Sequence, residues 1–123
     1  MQNMKKSKLL SYEINDIELY GFHGVLEKEI KDGQNFYIDI TYNINDFKYK
    51  DDISEVLDYT NIVKIVSDVF NLKRRNLLEI LVKNIYNSII NTCDVIDLKV
   101  SIRKKNPVSF ENIKFIKVSY PNE

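Results

Sequence analysis

The stretch Phe36-Tyr-Ile-Asp-Ile-Thr-Tyr-Asn-Ile44 alternates strongly apolar side chains with more polar ones. Successive side chains of a β-strand point to opposite faces of the sheet, so this alternation predicts a strand with one buried face. The stretch Ile96-Asp-Leu-Lys-Val-Ser-Ile-Arg103 repeats the pattern, again with the even-numbered residues apolar. Weaker alternation predicts a first strand over residues 11–22 and a last strand over residues 113–120.

Between the second and third strands, apolar side chains recur at the i, i+3, i+4, i+7 spacing of one helix face, which predicts two amphipathic helices. The first group comprises Ile62, Val63, Ile65, Val66, Val69 and Phe70, and the second comprises Leu77, Leu78, Leu81, Val82, Ile85 and Ile89. Thr60 is expected to cap the first helix and Asn76 the second. Residues 27–34 are polar and are expected to form a loop.

The element order ββααββ predicts an α+β fold, in which an antiparallel four-stranded sheet carries both helices on one face. The chain has 123 residues, of which 44% are hydrophobic and 29% charged, so we expect a single domain over residues 1–123. Residues 1–11 are expected to form a short flexible extension. The sequence has no run of about 20 apolar residues and no recognisable signal peptide, so we expect no membrane span and a cytoplasmic location.

Charge and rare residue types exclude several classes of function. Lys and Arg together number 18, as do Asp and Glu, and this balance argues against a general nucleic-acid-binding protein. The single cysteine, Cys93, excludes an internal disulfide and a cysteine-based zinc site, and it is expected to be inert. The single histidine, His23, is expected to serve a turn or packing because it lies beside Gly24. We expect neither a metal nor a cofactor.

Lys104 continues the apolar even-numbered series of the third strand, so its side chain should leave that strand on the core side. A partially buried ammonium group at the mouth of a core, where Pro107 ends the strand pairing, would be able to donate and accept protons. Alternatively, Lys104 and Lys105 are solvated charges at a strand end. Strand phase alone slightly favours this second alternative.

Glu79 has two possible roles. It lies three residues after Asn76, the spacing of a helix capping box, and a carboxylate in the first turn of a helix suits the helix dipole. A carboxylate fixed at a helix start can instead bind the paired N–H groups of a heterocycle. The local sequence leaves both roles open. Taken alone, Tyr59 is an ordinary packing residue and Glu29 an ordinary loop charge.

Several short motifs follow one another in a common register. They are Tyr20-Gly-Phe-His-Gly-Val25, Glu29, Gly33-Gln-Asn-Phe36, Asp58-Tyr59, Asn76-Leu-Leu-Glu79 and Ile102-Arg-Lys104 before Asn106-Pro107. Together they resemble the dihydroneopterin aldolases of folate biosynthesis. The resemblance implies the tunnelling fold, in which ββααββ subunits join their sheets into a barrel. It also implies a homo-oligomer, either an octamer of two stacked tetrameric rings or a tetramer, that binds a small pterin molecule.

The resemblance assigns roles to particular residues. Glu79, with main-chain groups around Leu78, would anchor the pterin ring. Lys104 would transfer protons near ring atom N5, Tyr59 would act on the side-chain hydroxyl, and Glu29 would position that side chain and water. The expected reaction is a retro-aldol cleavage without metal or Schiff base, because the protonated C=N bond of the dihydropterin accepts the electrons. The site would lie between subunits, with Tyr59 supplied by a neighbour.

The sequence departs from this family in the segment after Pro107, which is shorter than the usual Pro/Gly-rich loop, and in a last strand without its terminal arginine. These departures concern the rim of the site. An alternative is an epimerase acting on dihydroneopterin or its triphosphate, and Lys28, Lys31 and Lys105 leave a triphosphate site open. A third possibility is a non-catalytic oligomeric pterin-binding module, which would need the ring anchor but no proton-transferring lysine.

Overall fold

The computed structural model describes residues 8–46, 50–105 and 112–122. The elements are β1 (Leu9–Gly21), α1 (Glu27–Asp32), β2 (Gln34–Asn45), α2 (Tyr59–Leu72), α3 (Leu78–Thr92), β3 (Ile96–Lys105) and β4 (Phe115–Tyr120). A single 3₁₀ turn, Ile53–Glu55, precedes α2. The strands form one four-stranded antiparallel sheet in the order β1-β2-β3-β4, which confirms the predicted α+β class.

The two central strands, β2 and β3, place their even-numbered side chains on the face that the helices cover. Residues opposite each other include the pairs Phe36–Lys104, Ile38–Ile102 and Ile40–Val100. All the apolar members of these pairs are fully buried. The alternation in the sequence therefore predicted the buried face of both strands correctly, because the side-chain period of a strand is two residues.

Both long helices pack on that same face and complete the core. The buried side chains of α2 and α3 are Ile62, Val66, Phe70, Leu78, Leu81, Val82, Ile85 and Ile89. Their spacing follows the predicted apolar stripes, because one face of each helix is in contact with the sheet. Within the described ranges, no helix is both long and apolar enough to cross a bilayer.

The opposite face of the sheet carries a network centred on Arg103. Its guanidinium lies 4.9 Å from the ring centroid of Tyr37 and 5.4 Å from that of Phe115. The same group forms ion pairs with Asp16 at 2.6 Å and with Asp39 at 3.5 Å. Asp16 occupies an irregularity in β1 and has a φ of 60°. One side chain thus contacts residues from every other strand of the sheet.

The predicted cap of α2 is wrong. Asp58, not Thr60, is the N-cap residue, and its carboxylate accepts hydrogen bonds from the Thr60 backbone N–H at 3.0 Å and from the Thr60 hydroxyl at 2.8 Å. The helix therefore begins at Tyr59, earlier than expected. Two nearby residues, Asp58 and Thr60, had side chains suited to capping, and a carboxylate is the stronger acceptor for an unpaired N–H at a helix start.

The predicted cap of α3 is also wrong. The helix begins at Leu78, and its N-cap residue, Leu77, has no side chain able to accept a hydrogen bond. The Asn76 side-chain oxygen instead accepts a hydrogen bond from the Arg74 guanidinium. Glu79 consequently lies in the first turn of α3 without belonging to a capping box.

Three predicted boundaries differ from the structure. The loop over residues 27–34 contains α1, which is too short to produce a recognisable apolar period. Residues 9–11 of the expected extension belong to β1 and pair with β2, while residues 1–7 lie outside the described residues. The last strand starts at Phe115, because its partner Lys105 is the last residue of β3. The break at residues 106–107 and segment 108–111 lie outside the described residues.

Candidate active site

His23 fixes the turn that follows β1. Its buried ring makes edge-to-face contacts with Phe36 and Phe70, at centroid distances of 5.5 Å and 4.5 Å. Nδ1 accepts the Arg75 backbone N–H at 2.9 Å, so we assign the ring proton to Nε2, which donates to the Phe70 carbonyl at 3.1 Å. Burial lowers the pKa of His23, and the charges of Arg75 and Arg74 act in the same direction. The predicted packing role is confirmed.

Glu29, in the middle of the short helix α1, carries a buried carboxylate rather than the solvated loop charge that the local sequence suggested. The residue is only 3% exposed. Its Oε1 accepts the Leu26 backbone N–H at 3.3 Å. The carboxylate also lies against Gly24, where a Cβ atom would come within 2.3 Å of Oε1. Gly24 has a φ of 137°, so both its backbone and its surroundings require glycine.

Lys104 completes an ion pair with this carboxylate. Its Nζ donates to Glu29 Oε2, and the side-chain exposures are 12% for the lysine and 3% for the glutamate. The predicted core-side direction of Lys104 is confirmed. The alternative of a solvated strand-end charge is wrong for Lys104, whereas Lys105 is exposed, as that alternative predicted. Partners 75 residues apart in sequence thus form a charged contact shielded from water, where Coulomb attraction is stronger than at a surface.

The segment between α2 and α3 is bonded to the turn beside Glu29. The Arg74 guanidinium donates to the Gly24 carbonyl at 2.6 Å, and the Gly24 N–H donates to the Arg75 carbonyl at 3.0 Å. These bonds fix the segment that leads into α3 relative to the ion pair. Glu79 and Leu78 lie at the start of α3, so these hydrogen bonds link that helix start to the turn beside the Glu29–Lys104 ion pair.

The remaining predicted site residues lie at helix starts. Glu79 is exposed in the first turn of α3, next to the buried Leu78, and Tyr59 opens α2 with 53% of its surface exposed. Within residues 8–46, 50–105 and 112–122, neither the side chain of Tyr59 nor that of Glu79 makes a hydrogen bond or ion pair. One chain therefore joins Glu29 to Lys104 and leaves Tyr59 and Glu79 without contact to that pair.

No functional role was predicted for Gln34, which the structure places at the ion pair. Its Nε2 donates to Glu29 Oε2 at 3.0 Å. Its position at the start of β2, directly after Gly33, was the available signal. Cys93 is half-buried, and burial raises the pKa of its thiol, as expected for an unreactive cysteine. The described residues hold no cluster of three or more His, Cys, Asp or Glu side chains suited to a metal ion.

Comparison with known proteins identifies the family of this chain. The family model for dihydroneopterin aldolase matches residues 12–119. The chain belongs to the dihydroneopterin aldolase family. A dihydroneopterin aldolase of Staphylococcus epidermidis is 35% identical over 98 residues, which cover 76% of this chain and 80% of that protein.

Solved structures of the family share the fold at low sequence identity. A dihydroneopterin aldolase from Burkholderia, bound to guanine, superposes with a TM-score of 0.74 and 19% identity over 90% of this chain and 88% of its own. The E. coli enzyme in complex with neopterin gives a TM-score of 0.71 and 16% identity over 89% of this chain and 96% of its own.

Proposed function

We propose that this chain cleaves 7,8-dihydroneopterin into 6-hydroxymethyl-7,8-dihydropterin and glycolaldehyde in the cytoplasm. The observation that carries the proposal is the buried contact between Glu29 and Lys104, because a carboxylate and an ammonium group in hydrogen-bond contact can move protons to and from a bound molecule. Family membership supports the reaction. The relatives bound to guanine and to neopterin support a pterin ligand, because both molecules carry a 2-amino group beside a ring N–H.

The reaction requires only positioned acids and bases. A base removes the proton of the 2′-hydroxyl, the C1′–C2′ bond breaks, and C2′ becomes the aldehyde carbon of glycolaldehyde. The electron pair of the broken bond forms a C1′=C6 double bond, and the π electrons of the C6=N5 bond move to N5, which has been protonated. Proton return at C1′, with loss of the N5 proton, regenerates the C=N bond and gives the hydroxymethyl product. The scheme moves protons at the 2′-hydroxyl, at N5 and at C1′, so it needs acids and bases positioned at three different atoms.

Each predicted residue has a place in this scheme. Lys104 exchanges the proton at N5, and Glu29 positions the substrate side chain and water. Glu79 accepts hydrogen bonds from the 2-amino group and N3–H, beside main-chain groups around Leu78, whose N–H lies at a helix start and has no partner within the helix. Tyr59, exposed at the start of α2, acts on the side-chain hydroxyl and returns the proton to the intermediate.

The exposed position of Tyr59 supports a site shared between subunits of a homo-oligomer. We expect an octamer of two stacked tetrameric rings, or a tetramer, in which neighbouring sheets join into a barrel. In one chain, β1 and β4 are sheet edges, and unpaired strand edges favour pairing with another chain. Exposed apolar side chains lie on β4 at Ile116 and beside Glu79 at Leu77 and Ile80.

Turnover of purified protein with 7,8-dihydroneopterin, without added metal, tests the proposal. Chromatography should show 6-hydroxymethyl-7,8-dihydropterin and glycolaldehyde in equal amounts. Lys104→Ala should abolish turnover and largely spare pterin binding, whereas Glu79→Ala should weaken binding first, because the ring N–H groups lose their acceptor. Lys99→Ala, on the same strand, is the matched control. A 2′-epimer without cleavage would instead indicate the epimerase, and binding without either product would indicate a binding module.

Subunit complementation tests the shared site. Tyr59→Ala and Lys104→Ala should each be inactive alone. Subunits of the two variants, unfolded together and refolded in equal amounts, should recover about a quarter of wild-type activity, because random assembly pairs an intact Tyr59 with an intact Lys104 at that frequency. No recovery in a confirmed mixed oligomer would place both residues in a site within one chain.

A further inference from the structure

Among the described residues, Gln34 is one of three hydrogen-bond donors to the Glu29 carboxylate. Its Nε2 bonds Oε2 at 3.0 Å, the oxygen that also accepts from Lys104, while Oε1 accepts the Leu26 backbone N–H at 3.3 Å. The two side-chain donors differ in chemistry. Lys104 changes its donor capacity when it loses a proton, whereas the amide of Gln34 does not titrate. The Gln34 hydrogen bond therefore persists through any proton movement at Lys104.

The backbone holds Gln34 in this position with little freedom. Gln34 opens β2, where it pairs with Gly21 of β1. It directly follows Gly33, whose N–H donates to the Glu29 carbonyl at 3.1 Å and whose φ is 70°. Donor and acceptor thus lie on either side of one tight turn between α1 and β2. Because the turn between Glu29 and Gln34 is short, few backbone residues must be ordered for the Gln34 amide to hold the Glu29 carboxylate in one direction.

We propose that Gln34 is a positioning residue for the proposed aldolase reaction: its amide keeps the Glu29 carboxylate directed at the reacting side chain while Lys104 gains and loses a proton. This inference rests on the proposed function and adds a residue to it. Gln34 acts through Glu29, so its loss affects the rate of the chemical step rather than ring binding, which belongs to Glu79.

The surroundings define which other groups titrate near this hydrogen bond. Lys104 of β3 faces Glu29 directly. Gln34 and its neighbour Asn35 line a cavity of about 220 Å³ together with Tyr20, Tyr37 and Lys105. Among these, Lys104 is the charged group in contact with the carboxylate. Wild type and all Gln34 variants keep the same four neighbours with titratable side chains, which are Lys104, Lys105, Tyr20 and Tyr37. Differences between their pH profiles therefore report on position 34.

The decisive experiment compares three substitutions. Gln34→Met keeps the length of the side chain and removes the donor; kcat should fall about 10- to 100-fold, the equivalent of losing one hydrogen bond to a charged group, with KM changed less than about threefold. Gln34→Glu restores a donor only when the new carboxyl group is protonated. Its activity relative to Gln34→Met should therefore be highest at acidic pH and decline as pH rises, because two adjacent carboxylates repel. Asn35→Leu is the matched control.

A second readout does not depend on turnover. The ¹³C shift of the Glu29 side-chain carboxyl, measured by NMR at one neutral pH, should differ between Gln34→Met and wild type, because the carboxylate loses a hydrogen-bond donor. Wild-type kcat in Gln34→Met, or parallel pH profiles for the Met and Glu variants, would overturn the positioning role. If wild type shows no turnover, the proposed function fails, and the carboxyl shift alone decides: an unchanged shift in Gln34→Met overturns the role of Gln34.

Discussion

Gly24→Ala tests whether the Glu29 carboxylate occupies the space that a side chain at position 24 would fill. The added Cβ would lie 2.3 Å from Oε1 and 2.5 Å from the carboxyl carbon of Glu29, closer than non-bonded atoms approach. Either the carboxylate or the backbone must move. Movement of the carboxylate breaks its hydrogen bonds with Leu26 and Gln34 and its ion pair with Lys104.

Two contributions set the expected loss of stability. A φ of 137° is a conformation essentially confined to glycine, and alanine there costs about 1–3 kcal/mol. Loss of a hydrogen bond to a buried charged group costs about 1.5–3 kcal/mol more. Gly24→Ala should therefore lower the free energy of unfolding by about 3–6 kcal/mol and abolish turnover. In a Glu29→Ala background the collision is absent, so the same substitution should cost only the backbone contribution.

Urea unfolding of wild type, both single variants and the double variant, at fixed chain concentration, measures this coupling. Gly21→Ala is the control. Its Cβ would lie 2.6 Å from the Phe70 ring, so it should be destabilising to the same degree with and without Glu29. If Gly24→Ala costs as much in the Glu29→Ala background as in wild type, the carboxylate does not occupy the space beside Gly24, and the argument for a glycine there is wrong.

Three further outcomes are expected. The folded-state pKa of His23 lies below its ordinary value of 6.5, so the unfolded chain binds more protons and the free energy of unfolding should fall as pH falls from about 6.5. Urea unfolding of His23→Asn should lack this fall between about pH 6.5 and 5. Tyr42→Phe should raise the free energy of unfolding by up to about 1 kcal/mol, because the buried hydroxyl has no hydrogen-bond partner among the described residues. If the substitution instead lowers the free energy of unfolding by more than about 1 kcal/mol, the Tyr42 hydroxyl does form a hydrogen bond. Arg103→Met should lower the thermal midpoint while leaving kcat within about twofold, since Arg103 lies on the face opposite the core; a large fall in kcat would contradict this separation.

The features predicted most reliably from the sequence are those that depend on a repeating pattern of apolar side chains. The alternation in β2 and β3 identified the buried face and the direction of Lys104, because every residue in a strand contributes to the same two-residue period. Helix starts were harder to predict. Asp58 and Thr60 both suit a cap, so the sequence did not decide between them. The side chain of Asn76 bonds the nearby Arg74 instead of the helix start, which the pattern of apolar residues does not show.

The residues of the candidate site also differ in how far they could be predicted from the sequence. Strand phase gave the core-side direction of Lys104 but slightly favoured a solvated charge there, and the local sequence made Glu29 an ordinary loop charge. The resemblance to the family selected both residues for the site. Burial of Glu29 depends on a lysine far along the chain, and α1 is too short to show a period. Gln34 was missed because its role consists of a single hydrogen bond to that carboxylate.

The distance in sequence between Glu29 and Lys104 has a consequence for how the protein matures. During synthesis, Glu29 leaves the ribosome long before β3 exists, so its carboxylate must remain hydrated until the third strand docks. A docking that slips by one residue would turn the entire even-numbered series of β3 outward and present Arg103 or Lys105 to the carboxylate. Correct strand register and the Glu29–Lys104 ion pair therefore arise in the same step, and a misaligned chain lacks this pair as well as its core packing.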